Sequence, residues 1–225
     1  MLISIDTSSK ACSCALVDND KLIAENYLNC GLTHSATLAV LIEDMLSAAK
    51  IGFDEIEGIA VSNGPGSYTG LRIGLAAVKG MALAKNIPCA GVSTLLSLAY
   101  NLLPFDGVVC AALDARVGQV FTALFEIRNG EIKRLTEDMA TTLVELEKIL
   151  PDGAMVCGDG TDLVCGKFPE KNLRPAPIAL RYQRASSVAQ AAITTKAPML
   201  PAERLEAAYH RKSQAERERE AKTNA

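Results

Sequence analysis

Histidine is scarce in this sequence: His34 and His210, far apart in the chain, are the whole supply in 225 residues. A metal centre built on a close pair of imidazoles is thereby excluded. Serines and threonines are plentiful, but a nucleophilic hydroxyl needs a base within hydrogen-bond reach, and neither histidine stands in a recognisable arrangement with one. No run of Lys or Arg occurs before the last stretch and the net charge is −3, so the broad basic surface that holds a phosphate backbone is missing. Any dealing with nucleic acid is expected to be indirect. No apolar run approaches the roughly 20 residues that span a bilayer, and MLISIDTSSK enters an apolar strand without the basic flank and cleavage site of a signal peptide. No membrane contact and a cytoplasmic location are expected. Seven cysteines form no C-x-x-C pair and are odd in number, which suits small apolar residues of a reduced protein.

What is present is a chain with 49% hydrophobic residues, enough for one domain or two small lobes. Leu2 to Asp6, Cys12 to Val17 and Leu22 to Leu28 are short apolar segments between polar turns, which predicts three strands joined by hairpins. Leu38, Leu41, Ile42, Met45, Leu46 and Ala49 recur at helical spacing within a helix from Ser35 to Lys50. A strand from Ile56 to Val61, a Gly/Pro turn, a helix from Thr69 to Asn86, a strand from Cys89 to Val92 and a helix from Thr94 to about Leu102 follow. Near Pro104 the pattern restarts. LISIDTSSKACSCAL and CAALDARVGQVFTAL align without a gap, Asp6 falling on Asp114, and each is followed by a further strand, the second from Glu131 to Leu135. The second copy continues with a helix from Thr142 to Leu150, a strand from Ala154 to Cys157 and a helix from Ala185 to Thr195. The expected fold is α/β, a duplicated actin-like and sugar-kinase-like architecture with its second half reduced. Residues 1–104 form the first lobe, 105–200 the second, and 201–225 a charged tail whose segment AERLEAAYHRKSQAERERE reads as a solvated helix.

The most specific segment is GPGSYTGLRIG, comprising Gly64, Pro65, Gly66, Ser67, Tyr68, Thr69, Gly70, Leu71, Arg72, Ile73 and Gly74. No Lys-Ser/Thr pair closes it as in a P-loop, and its third glycine falls one place too late for a dinucleotide fingerprint. Two readings stay open: free N–H groups at a helix start that cradle an anion, or a tight turn with Thr69 as N-cap. Together with Asp6-Thr7-Ser8, His34-Ser35, Val92-Ser93-Thr94, Asp114-Ala115-Arg116 and the tail YHRKSQAERE, the segment resembles the TsaB family. Ala207 and His210 depart from the family pattern, in the tail alone.

The resemblance implies an accessory role: a scaffold that binds a TsaD-type catalytic paralogue, with a TsaE-type ATPase and transfer RNA engaged indirectly, in threonylcarbamoyl transfer to the adenosine next to the anticodon. It implies an interface on the two helices of the first lobe, to which Leu38, Leu41, Met45, Leu71, Ile73, Leu75, Ala77, Val78 and Gly80 are assigned, and self-association of the isolated chain as a homodimer. The residues agree in part. The helix after the glycine-rich turn is apolar or small nearly all round, Arg72, Lys79 and Asn86 forming its narrow polar strip, so it is buried on more than one side. Gly74 and Gly80 each cost a helix about 1 kcal/mol and should be repaid by close packing. The hairpin turns are poor in glycine, which argues against phosphate binding in the cleft. Asp6 and Asp114 either cap their own turns or hold a magnesium ion through water. No intrinsic cofactor is expected, and a nucleotide would belong at the interface with the catalytic partner. The alternatives are an independent peptidase-like hydrolase, a nucleotide-dependent enzyme of the same fold, and a small-molecule binding module.

Overall fold

The computed structural model of the protein describes residues 1–209. In the first half, β1 (Leu2–Asp6), β2 (Cys12–Asp18) and β3 (Lys21–Leu28) are followed by α1 (His34–Ala49), β4 (Gly58–Gly64), α2 (Tyr68–Leu83), β5 (Cys89–Ser93) and α3 (Thr94–Tyr100). In the second half, β6 (Gly107–Arg116), β7 (Gln119–Arg128) and β8 (Glu131–Arg134) are followed by β9 (Met139–Thr142), α4 (Leu143–Ile149), β10 (Met155–Cys157), α5 (Thr161–Lys167), β11 (Arg174–Pro175) and α6 (Ala185–Thr194).

The duplication is plain in the sheets. The first has the order β3-β2-β1-β4-β5 and the second β8-β7-β6-β10-β11, with β9 added on β7. In each, the hairpin strands pair antiparallel and the last two strands join parallel. Parallel strands need a crossover, and α1, α2, α4 and α5 supply them. Reduction of the second half is visible in length: α5 has 7 residues where α2 has 16, and β11 has only 2. This is the expected α/β architecture.

Alternation along the strands decides which face meets which helix. Ile3, Ile5, Cys12, Cys14, Leu16, Ile59 and Val61 join Leu38, Ile42 and Met45 of α1 and Leu75, Val78 and Ala82 of α2 in one core. The other face of the same sheet, with Ala60 and Val92, packs on Val188, Ala191 and Ala192 of α6. Leu95, Leu98 and Ala99 of α3 pack instead on Val109, Ala111 and Leu113 of the second sheet. The last helix of each half therefore covers the sheet of the other, and α3 and α6 share the layer between the sheets. Glu25 fastens this exchange: its carboxylate accepts from the Arg184 guanidinium (2.7 Å) and from the backbone N–H of Ser186 (3.0 Å), while Ser4 donates to the Ala185 carbonyl (2.7 Å). The cysteines of the strands are free and buried; burial pushes the Cys14 and Cys110 thiols up to about 12, so they behave as inert apolar fillers.

Three expectations need correction. Thr69 does not cap α2; Ser67 does, its hydroxyl accepting from Gly70 N–H at 3.2 Å, because it alone combines extended backbone with a reach to the third helical residue. The same helix ends at Leu83 rather than Asn86, which takes positive φ (54°) and turns the chain. The tail up to Tyr209 is not a solvated helix. Ala202–Arg204 is a single 3-10 turn, Leu200 pairs with Cys89 of β5, and Ala202 and Leu205 are buried in the first core. The remainder of that tail lies outside the described residues.

Candidate functional site

The GPGSYTG segment and the first hairpin turn are built against each other. Asp6 is fully buried at the end of β1, and its Oδ1 accepts from the backbone N–H (2.9 Å) and the hydroxyl (2.7 Å) of Ser8, while the Ser62 hydroxyl donates to Oδ2. Burial raises its carboxyl above the usual carboxylate range, partly offset by the bonds from Ser62 and Ser8. Thr7 donates to the Gly70 carbonyl (2.8 Å), and the Ser8 carbonyl accepts from Ser67 N–H (2.7 Å). A Cβ at Gly66 would run into the Ser8 carbonyl, at Gly70 into the Thr7 carbonyl, and at Gly74 into the Thr7 hydroxyl. The three glycines thus serve close backbone packing on the Thr7-Ser8 turn, and the Ser67 and Gly70 N–H groups at the helix start are already bonded. Gly64 takes a positive φ (129°) before a cis bond to Pro65, a path on which the Ala208 carbonyl leaves no room for a side chain. His34 Nε2 lies 2.7 Å from the Ser9 carbonyl, tying α1 to the same turn.

The second turn closes on itself in a similar way, Asp114 Oδ1 accepting from Arg116 N–H at 2.7 Å. Asp114 and Arg116 are exposed, and Arg116, Val117 and Gly118 all take positive φ. Both aspartates therefore cap their own turns. The two hairpins do more than face each other. Ser9 donates to Asp159 Oδ2 (2.6 Å) and Asp114 N–H to Asp159 Oδ1 (2.9 Å), so one carboxylate bridges both turns. The Gly158-Asp159-Gly160 turn is held there by Gly160 N–H on the Ala112 carbonyl (3.0 Å), which a Cβ at Gly158 would strike.

Sequence reasoning assigned this turn no chemistry. Its signal lay in the repeat: Gly64-Pro65-Gly66 ends β4, and Gly158-Asp159-Gly160 follows β10, the equivalent strand of the second copy. The two turns are bonded to each other through Asp159, and the first offers no glycine for close approach of a phosphate. Among the described residues no group of three or more His, Cys, Asp or Glu is placed to hold a metal ion.

The residues assigned to a partner surface separate into two sets. Leu38, Met45, Leu71, Leu75 and Val78 are buried in this chain's own core and are not available to a partner, a correction that follows from the helix faces, which the sequence left unassigned. Leu41, Ile73 and Ala77 are half-buried, and Gly80 is exposed. With Val40 of α1 and Ala76 and Leu83 of α2, also exposed, they form the outward side of the helix pair. Gly74 is repaid by Thr7, whereas a Cβ on Gly80 would meet nothing within 4 Å. Where α2 begins, Arg72 stacks over Tyr68 (4.1 Å to the ring centroid) and its Nε donates to the Tyr209 hydroxyl (3.3 Å), while Thr69 is exposed.

Comparison with known proteins decides the family. A family model described as TsaD, tRNA N6-adenosine threonylcarbamoyltransferase, matches residues 29–197. The tRNA threonylcarbamoyladenosine biosynthesis protein TsaB of Bacillus subtilis is 34% identical over 67% of this chain and 66% of its own length. The chain belongs to the TsaB family, within the wider TsaD group. The TsaB of Haemophilus influenzae is 29% identical over 80% of both chains. Among solved structures, a Pseudomonas aeruginosa protein described as similar to peptidase YeaZ superposes with a TM-score of 0.78 at 25% identity, over 93% of this chain and 99% of that one. The alignment with the Bacillus TsaB covers just under two thirds of that relative, and it is the fold and the glycine-rich turn of a TsaB chain that the geometry above describes.

Proposed function

We propose that this chain is a non-catalytic scaffold subunit of tRNA threonylcarbamoyladenosine biosynthesis in the cytoplasm, binding a TsaD-type catalytic paralogue through the outward side of α1 and α2. The observation that carries the reading is Gly80: a glycine in the last turn of α2, on an apolar outward face with Ala76, Ala77 and Leu83, has a cost that nothing inside the chain repays. A surface of small side chains lets a second helix approach closely, and an apolar face of this kind is a contact surface. An isolated chain would cover it by forming a homodimer, and a TsaE-type ATPase and transfer RNA would be engaged through the assembled pair. The engagement of the Ser8, Ser67, Asp114 and Arg116 N–H groups within the turns supports placing any nucleotide at the interface with the partner. Among the described residues no helix is long and apolar enough to cross a membrane.

The test is reconstitution of threonylcarbamoyl transfer with a TsaD-type protein from the same genome. Ala76→Arg places a charge on the exposed face, where it is desolvated only in a complex; the chain should remain folded and monomeric, and lose both pull-down of the partner and transfer. Asp6→Asn and Asp114→Ala, which alter only the turns, should support transfer. Retention of both activities by Ala76→Arg would place the interface elsewhere, and loss of transfer in a folded, partner-binding Asp6→Asn chain would refute the non-catalytic reading.

A further inference from the structure

The layer between the two sheets is mainly apolar, yet four polar atoms in it have no hydrogen-bond partner among the described residues: Ser13 Oγ, Thr94 Oγ1, and both Oε1 and Nε2 of Gln183. All three residues are fully buried. Strand register and flanking contacts bring Ser13 and Gln183 to one row of the first sheet. Ser13 is the register partner of Asp6, so the two side chains stand on one face of the sheet, and Asp6 bonds to Ser62 on the next strand. This face is the one turned toward α6, since Ile5, Cys12, Cys14 and Val61 point the other way. Thr94, which opens α3 directly off β5, lies three strands from Ser13 and apart from this row.

Gln183 reaches the same place from the far side. The next residue, Arg184, lies over the ring of Tyr27 (5.3 Å), and Tyr27 is the register partner of Ser13. Ala185 is bonded to Ser4, while the preceding Tyr182 carbonyl accepts from Asn101, the residue that caps the end of α3 (2.8 Å). The segment is thus pinned across the Ser13–Asp6 row between sheet and α3, with its amide facing inward.

A buried amide without partners costs several times what a satisfied one contributes, and proteins meet such demands with internal water when the site is polar. We propose that Gln183 and Ser13 line a sealed polar site that holds internal water molecules, bridging the first sheet to the segment that opens α6. The donor and acceptor set selects a neutral occupant. Nε2 of Gln183 only donates, so a cation would leave it unpaired, and an anion would stand beside the buried carboxyl of Asp6. Water satisfies the Ser13 hydroxyl and both ends of the amide.

The wild-type protein should show water molecules with long residence times by oxygen-17 magnetic relaxation dispersion, and ordered water within hydrogen-bond distance of both Gln183 amide atoms in a high-resolution crystal structure. Gln183→Met, which keeps length and removes both polar atoms, should abolish this dispersion component and lower Tm by about 2–4 °C, the shift that one bridged hydrogen bond's worth of stability gives a chain of this size. Ser13→Ala should act in the same direction, and the double variant should lose less than the sum because the two share a bridge. A rise in Tm for Gln183→Met would mean that the amide is merely stranded, and the proposal would fail. It would fail equally if the wild type lacked long-lived water, a measurement independent of whether any variant folds, or if Tm followed the identity of added alkali cations.

Discussion

Gly74, in the middle of α2, and Gly80, in its last turn, lie six positions apart and should respond to alanine with opposite signs. At Gly80 the added methyl meets open space, so Gly80→Ala keeps only the helix-propensity gain of about 1 kcal/mol. In a chain of this size that gain raises Tm by about 2–4 °C. At Gly74 the same gain is opposed by a collision with the Thr7 hydroxyl, which is bonded to the Gly70 carbonyl and has Val61 behind the contact. Displacing that hydroxyl forfeits about 1 kcal/mol of hydrogen bonding, and overpacking a close backbone contact adds about 1–3 kcal/mol. Gly74→Ala should therefore be less stable than wild type by about 1–3 kcal/mol. Thermal unfolding followed by circular dichroism reads both signs, and Thr7→Ala combined with Gly74→Ala should recover part of the loss in a double-mutant cycle. The second readout is association: Gly80→Ala, although more stable, should self-associate and bind its partner more weakly, because the methyl stands where a second helix would approach. A destabilised Gly80→Ala or a fully stable Gly74→Ala would refute the account of the helix faces; undiminished binding by Gly80→Ala would remove the interface from this face.

Asp6 has a folded-state pKa raised by burial, so the stability it contributes is fully present below its unfolded value and is lost as pH rises through the higher folded value. Asp6→Asn, whose amide can still accept from Ser8 and donate to Ser62, should flatten the fall in stability above about pH 4, the ordinary aspartate range, and an unchanged pH profile in urea titrations would contradict the burial argument. Asp159→Ala removes the acceptor shared by Ser9 and Asp114 and should cost about 1–3 kcal/mol. Hydrogen exchange should then speed up at the Asp114 amide, and protection equal to wild type would show that the bridge is not formed in solution.

The first half was legible because each element announces itself locally. β1 to β3 are short apolar runs between polar turns, and α1 repeats leucine, isoleucine and methionine at helical spacing up to a left-handed Lys50 that closes it. The glycine-rich turn was found, but its purpose was not, since a glycine required for close packing and one required for anion binding look the same in a sequence. The second half hides its elements by shortness. β9, α5 and β11 have 4, 7 and 2 residues, too few for a periodicity to emerge, and their stability comes from neighbours remote in the chain. The tail was misread because its charges suggested a solvated helix, whereas Ala202 and Leu205, spaced at a 3-10 turn, supply apolar anchors. Which residues of α1 and α2 face outward was settled only by the sheet and by the segment from Leu200 to Ala208 laid against the same core.

That segment bears on the order in which a ribosome delivers this protein. One face of the first sheet stays uncovered until α6 has emerged, and the edge of β5 stays unpaired until Leu200 docks on Cys89. Asn63 then receives Ala208 N–H (2.7 Å) and donates to the Glu206 carbonyl (3.2 Å), fixing the glycine-rich turn last. A nascent chain that has completed β5 and α3 therefore exposes Ala60, Val92 and a bare strand edge while nearly a hundred further residues are being added (~5–20 residues per second), a window of several seconds. The two halves cannot mature one after the other as beads do. They close together, once α6 and Leu200 have been made, and the vulnerable species is a long-lived half-sheet awaiting those later segments.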